Sequence, residues 1–258
     1  MYVAKHAGGN RVSTAEPFTQ DEEAAVKRQL ISAFIEGFLQ REHGGPEHVE
    51  ELITTLQRIC GAGEECNEGV LREAVESLAR ASETRELHAA GHGKQVMRVS
   101  QSIGQALGLP PDELEELAYI ARVHDVGKLF LPEKILNKAG SLTEDEFYLV
   151  KMHAQVGGEV VATLPRSRRM RQAIEHHHEA FDGSGYPNGL RGEEIPLFSR
   201  ILAVADAYSN MTSERSFAPA KSPERALAEL EELSGIRFDG MLVRLFIRQT
   251  RSEKTPSN

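Results

Sequence analysis

The sequence predicts an all-α protein. Three observations carry that reading. Leu, Ala, Glu and Arg dominate and tryptophan is absent, a composition that favours helix over strand. Apolar residues recur with the ~3.6-residue period of a helix rather than alternating. Helix-start signals also recur, at Thr19-Gln20-Asp21-Glu22, at Thr143-Glu144-Asp145-Glu146 and at Ser222-Pro223. Each of these offers a side-chain oxygen to the unpaired N–H groups of a first turn.

In chain order, residues 1 to about 18 read as a loose polar tail. Behind Thr19, Val26, Leu30, Ile31, Phe34, Ile35 and Phe38 share one helical face, and Gly44-Gly45-Pro46 ends the run. A second helix follows Pro46, with Val49, Leu52, Ile53, Leu56 and Ile59 inward, and closes at Gly61-Ala62-Gly63. These two helices predict an N-terminal bundle over 1–80, with no chemical constellation; sensing or homodimer formation through them is the expectation. A long pattern then runs from Glu68 to Leu107, interrupted by Gly91 and Gly93, each costing about 1 kcal/mol relative to alanine. Asp112 is the expected cap of the next helix, which runs through Leu114, Leu117, Ile120 and Ala121 to His124-Asp125. The helix capped by Thr143 carries Val150, His153, Val156 and Val160, and stops at Pro165. The four arginines between Arg166 and Arg171 read as a solvated basic turn, with docking of an acidic partner as the alternative. Later helices start at Ile195-Pro196, Ser222-Pro223 and Phe238-Asp239.

Composition narrows the function. Of 258 residues, 39 are acidic and 30 basic, for a net charge of −9. Nucleic-acid binding across a broad face needs the opposite sign. Cys60 and Cys66 fit no zinc-ribbon or redox spacing. No apolar run approaches the ~18 residues of a membrane span, and no signal-peptide core is present. A cytoplasmic location without membrane attachment is therefore expected.

The chemistry concentrates in the second part of the chain, residues 81–258. Glu175-His176-His177-His178-Glu179 is followed by the Gly/Pro-rich turn Asp182-Gly183-Ser184-Gly185-Tyr186-Pro187-Asn188-Gly189. His88 and His92 lie four apart and share a helical face. Asp125 and Asp206 are each embedded among apolar neighbours, where a carboxylate is costly unless paired or bound to a metal. Lys128 falls on the same face as Asp125. Seven of the ten histidines lie between residues 88 and 178. This N/O ligand set without sulfur suits iron, manganese, nickel or zinc. Two divalent ions about 3.5–4 Å apart can clamp the attacking and leaving oxygens of a phosphoester.

The ordered set His124-Asp125 with Gly127-Lys128, Lys151-Met152-His153, His177-His178-Glu179, Asp182 to Gly189, Arg200 to Asp206 and Phe238-Asp239 resembles the HD-GYP subgroup of the HD phosphohydrolases. The resemblance covers about residues 85–250. It implies an HD-type helical phosphohydrolase domain behind the N-terminal bundle, hydrolysing cyclic di-GMP to pGpG or GMP by a metal-bridging hydroxide. It places one metal on His92, His124, Asp125 and Asp206. The other falls on His153, His177 and His178, with Asp125 as bridge and part of the catalytic apparatus. Lys128 would stabilise the phosphate or assist the leaving oxygen. Arg215, Tyr186 and Gly185 would contact substrate. Two divalent ions are implied, iron first, with manganese or nickel as alternatives. The resemblance also implies that the Asp182–Gly189 loop docks GGDEF or adaptor proteins. His176 has no assigned role.

The chain departs from the family pattern twice. Where members with three metals carry a glutamate, this chain has His88, a candidate ligand for a third ion. Where the family places a second phosphate-binding cation after Arg215, this chain has Ala218 and Pro219; Lys221 is the nearest cation in sequence. The alternatives are a cyclic-dinucleotide receptor or scaffold with little turnover, and a phosphodiesterase for another cyclic dinucleotide.

Overall fold

The computed structural model describes residues 46–60, 68–87, 89–214 and 219–253, with single helical positions at Val26 and Gln29. The expected tail, the helix behind Thr19, His88 and Arg215 lie outside the described residues. Among these, all regular structure is helical, apart from one isolated bridge between Ser234 and Phe238.

Helix α1 (Pro46–Cys60) buries Leu52 and Leu56 and packs on α2 (Glu68–Arg85) and on α6 (Glu144–Val161). The expected break of the long pattern falls between α2 and α3 (His92–Leu107). Gly91 has φ 82° and is the residue at which the chain reverses. A side chain there would be strained, because L-residues avoid that region. Glu83 of α2 then accepts from the N–H groups of Gly91 and Gly93, at 3.2 and 2.9 Å. A carboxylate brought from another helix thus serves the start of α3, where the dipole favours negative charge. Helix α2 runs through positions 80 and 81, and Leu78, Val75 and Leu71 join the common core.

Helix α4 (Pro111–Val123) is capped at Pro110, with Pro111 in the first turn. Asp112 is not the cap; it sits one residue inside, where its charge complements the helix start. A 3₁₀ turn, Val126–Phe130, follows the His-Asp pair, and a single-turn α5 (Glu133–Leu136) comes next. Helix α6 has the expected capping box: Thr143 accepts from the Glu146 N–H, and Glu146 returns to the Thr143 N–H. Of the arginines, only Arg166 lies in a turn; from Arg168 on the segment is helix, α7 (Arg168–Glu175). Two of its charges are paired, Arg169 with Glu113 at 2.8 Å and Arg171 with Glu159 and Glu175 at 2.6 Å each. Helices α8 (Leu197–Thr212), α9 (Pro223–Glu232, with Ser222 accepting from the Arg225 N–H) and α10 (Gly240–Glu253) complete the chain.

Helix α3 is the central element, flanked by α4, α8 and α10. Its apolar stripe, Val96, Val99 and Ile103, meets Leu117 and Ile120 of α4 and Ile201, Leu202 and Ala205 of α8 within one buried cluster. Each fully buried Leu or Ile stabilises by roughly 1.5–3 kcal/mol. The 3₁₀ turn lies between α2 and α6. Gly127 makes that approach possible: a Cβ there would stand 2.0 Å from the carbonyl oxygen of His153. No helix among the described residues is long and apolar enough to cross a membrane.

Candidate metal centre

Five elements each deliver one part of the site. His92 opens α3, His124-Asp125 closes α4, His153 stands in α6, His177-His178 follows α7, and Asp206 lies in α8. Their sequence separation hides a tight cluster. One group, His92, His124 and Asp125, has ligand atoms within 4.8 Å of one another; so does a second, Asp125, His153, His177 and His178. Asp125 belongs to both. Its Oδ2 lies 3.7 Å from His92 Nε2 and 3.4 Å from His124 Nε2. Its Oδ1 faces the other way, 3.3 Å from His153 Nε2 and 3.9 Å from His177 Nε2. Asp206 Oδ1 closes on the first group, 3.0 Å from His92 Nε2 and 3.7 Å from His124 Nε2. His178 Nε2 and His153 Nε2 are 3.2 Å apart.

Helical geometry aims the rings. The Nδ1 of His124 bonds the carbonyl of Ala121 at 2.9 Å; those of His153 and His177 bond Val150 and Ile174 at 2.5 Å. A carbonyl only accepts, so each Nδ1 carries a hydrogen and Nε2 is the nitrogen left to face the cluster. His92 Nδ1 pairs with Ser209 Oγ at 3.0 Å. This outer bonding is what a metal-binding imidazole needs to hold its tautomer. The inward Nε2 atoms of His92, His124 and His177 are buried and lack a hydrogen-bond partner. Buried polar atoms are rarely left so. Three converging orphan nitrogens beside two carboxylates fit a divalent cation, a donor set of N and O that suits one.

The electrostatics agree. Burial would lower the His124 pKa, but Asp125 and Asp206 outweigh it and raise it to about 10. Burial pushes the His177 imidazole down to about 3, helped by His124 and His153. His178 is likewise held well below the ordinary histidine range, first by burial and then by His177. Burial opposes ionisation of Asp125 and Asp206, yet their cationic and hydrogen-bonding neighbours hold both well below the ordinary carboxylate range. In the absence of an ion, a proton on His124 balances charge that a cation can balance instead.

Around the cluster, Lys128 Nζ contacts Asp125 Oδ2 at 2.7 Å and Glu86 Oε2 at 3.2 Å. Tyr186 stacks on His178, with ring centres 5.0 Å apart and planes 30° apart. Gly185 lies against the backbone of Glu179 and Ala180; a Cβ would stand 2.1 Å from the Ala180 nitrogen. Glu179 is buried and its Oε1 accepts from the Asn188 N–H at 2.7 Å, tying the loop down. The Tyr186–Pro187 peptide is cis. His176 is half-buried, its Nδ1 3.7 Å from Glu179 Oε1. A cavity of about 300 Å³ opens beside His177, His178 and Asp206, and Asn210, Met211, Leu233 and Arg237 also line it.

Sequence reasoning missed the supporting residues. Ser209 and Glu86 give no local signal, since their partners are far along the chain. Asn210 Nδ2 donates to Asp206 Oδ1 at 2.9 Å; its signal, the i, i+4 spacing, was there to be read.

Residues 74–242 match the HD domain family. A cyclic di-GMP phosphodiesterase of Thermotoga maritima is 35% identical over 183 residues, covering 70% of this chain and 50% of that protein. A 3'3'-cGAMP-specific phosphodiesterase of Vibrio cholerae is 34% identical over 181 residues, covering 68% of this chain and 34% of that protein. The chain thus spans half or less of the length of these two relatives. The crystal structure of a cyclic GMP-AMP-specific phosphodiesterase from V. cholerae superimposes with a TM-score of 0.56 at 24% identity, covering 72% of this chain and 51% of that one. That likeness concerns the fold.

Proposed function

The chain belongs to the HD-domain family of phosphohydrolases, and on that premise we propose that it is a metal-dependent phosphodiesterase acting on cyclic di-GMP, with pGpG or GMP as product. The observation that carries the reading is the pair of ligand groups meeting at Asp125. One ion would be held by His92, His124, Asp125 and Asp206, the other by Asp125, His153, His177 and His178. Iron is the first candidate, with manganese or nickel next, since the ligands are imidazole and carboxylate. Divalent ions bound there acidify water and neutralise charge developing on the phosphoryl oxygens.

The protein's own groups do the rest. Lys128 brings a positive charge to the edge of the cluster, fixed between Asp125 and Glu86. Tyr186 stacks on His178, Gly185 packs against the Glu179 and Ala180 backbone beside it, and Arg215, outside the described residues, is the proposed phosphate contact in the sequence after Asp206. Purified protein loaded anaerobically with iron(II), manganese(II) or nickel(II) should convert cyclic di-GMP to pGpG or GMP, read by chromatography. Absence of product with all three metals sinks this reading.

A second reading keeps the chemistry and changes the substrate to cyclic GMP-AMP, as the 34% identical V. cholerae relative suggests. Turnover of both dinucleotides in one mixture separates the two: the preferred substrate is the one with the larger kcat/KM.

A further inference from the structure

Both readings of the substrate share a ring with two phosphodiester groups. Only one can sit on the metals at a time, so the other anion has to be met elsewhere. The segment after Arg215 lacks the cation expected there, Ala218 standing in its place. Lys221, the nearest in sequence, is already committed: its Nζ bonds Glu229 Oε2. The other cations around the site are also engaged. Lys128 is held by Asp125 and Glu86, Arg200 by Asp239 at 2.6 Å, and Lys151 lies over the rings of Phe147 and Tyr186.

Arg237 is different. It lines the 300 Å³ cavity together with His177, His178 and Asp206. It is exposed, and its guanidinium makes no hydrogen bond or ion pair to any described residue. Its backbone is fixed. The Arg237 N–H donates to the Leu233 carbonyl at 2.9 Å, and the Arg237 carbonyl accepts from the Phe181 N–H at 3.2 Å. One residue earlier, the Ile236 carbonyl accepts from the Asp182 N–H at 2.8 Å. The turn that carries Arg237 is therefore tied to the start of the Gly-rich loop, just past the histidine ligands. A free guanidinium on a fixed turn, beside the metal cluster, is suited to a phosphate, which it can bind by two parallel N–H donors.

We propose that Arg237 binds the non-reacting phosphate of a cyclic dinucleotide, taking over the role for which Ala218 has no charge. This rests on the phosphodiesterase reading above. The test compares a substrate with two phosphodiesters, cyclic di-GMP, with one that has a single phosphodiester, bis(p-nitrophenyl) phosphate. Arg237→Ala should raise KM for cyclic di-GMP roughly tenfold to a hundredfold, the range for a charge-assisted contact. Its hydrolysis of bis(p-nitrophenyl) phosphate should stay within about twofold of wild type, since that ester has no second phosphodiester for Arg237 to meet. Arg237→Lys should recover part of the loss, because it keeps the charge but not the fork. An unchanged KM for cyclic di-GMP in Arg237→Ala overturns the assignment, as does an equal loss with both esters. Wild-type protein that cleaves the nitrophenyl ester but neither binds nor cleaves cyclic di-GMP or cyclic GMP-AMP removes the cyclic-dinucleotide reading itself. That result appears in the wild type, before any variant is measured.

Discussion

Lys128 holds Asp125 by the same oxygen, Oδ2, that faces His92 and His124, at 2.7 Å. The ammonium thus touches the ligand shell directly, on the Asp125 oxygen nearest the first histidine pair. Lys128→Met keeps the volume and removes the charge. Turnover should fall by about a hundredfold to a thousandfold, as for loss of one pre-positioned electrostatic contact. Metal content, measured by mass spectrometry, should stay at the wild-type level. Loss of the metal in this variant would show that Lys128 maintains the site rather than the reaction.

Because the two oxygens of Asp125 face different histidines, its replacement should not resemble that of a one-sided ligand. Asp125→Asn should lower metal content at both positions. His92→Ala should remove about one equivalent of two, leaving the group around His153 filled. Equal losses in the two variants would contradict a shared carboxylate.

Arg200 and Asp239 form a buried pair at 2.6 Å, with 13% and 7% of their side-chain surfaces exposed. Asp239 also accepts from the Met241 N–H at the start of α10, at 2.8 Å. Asp239→Ala strands a buried guanidinium and should cost about 3–5 kcal/mol in urea unfolding. Replacing Arg200 and Asp239 together by apolar residues should cost less than Asp239→Ala alone.

Gly127→Ala drives a methyl into the His153 carbonyl, 2.0 Å from the ideal Cβ position. Backbone cannot yield as a side-chain tip does, so α6 must shift and carry His153 with it. The expected result is a loss of about 1–3 kcal/mol in stability, together with loss of metal. Gly140→Ala, where nothing lies within 4 Å, is the matched control and should be neutral.

The metal-free protein should show a stability maximum near neutral pH. His177 is depressed from its ordinary 6.5 to about 3. The unfolded chain therefore takes up its proton first, and stability falls as pH drops from 6.5 towards 3. His124 moves the other way, to about 10. Its contribution is complete below 6.5 and is lost as pH rises towards 10. Urea midpoints of chelator-treated protein across this range check both limbs. A midpoint that keeps rising above pH 8 would contradict the His124 shift.

Much of the fold was legible because its signals are local. The Thr143 box and the Ser222-Pro223 start are each complete within four residues, and both helices begin there. Gly91 and Gly93 announced a break, and each serves a separate purpose: Gly91 reverses the chain, while Gly93 lets α3 approach the carbonyl of Arg122, 2.9 Å from where a Cβ would lie. Asp112 misled because two prolines precede it: Pro111 opens the helix, so the cap falls two positions back, at Pro110. The arginine run misled because Arg169 and Arg171 are paired with Glu113 and Glu159, 56 and 12 residues away, as well as with the nearby Glu175. In the site, the ligand candidates stood out as polar residues set in apolar runs. The partners that orient them did not, because Ser209 lies 117 residues from His92 and Glu86 lies 42 from Lys128.

Three imidazoles, on His124, His153 and His177, are each bonded to the carbonyl three residues earlier in their own chain segment. The tautomer is settled by the local backbone, so a cation arriving at the cluster finds these rings already aimed. What it must still displace is the proton that the two carboxylates hold on His124. Metal uptake and acidification of the medium are then two views of one event: loading in weak buffer should release protons, and affinity should climb with pH until His124 is already bare.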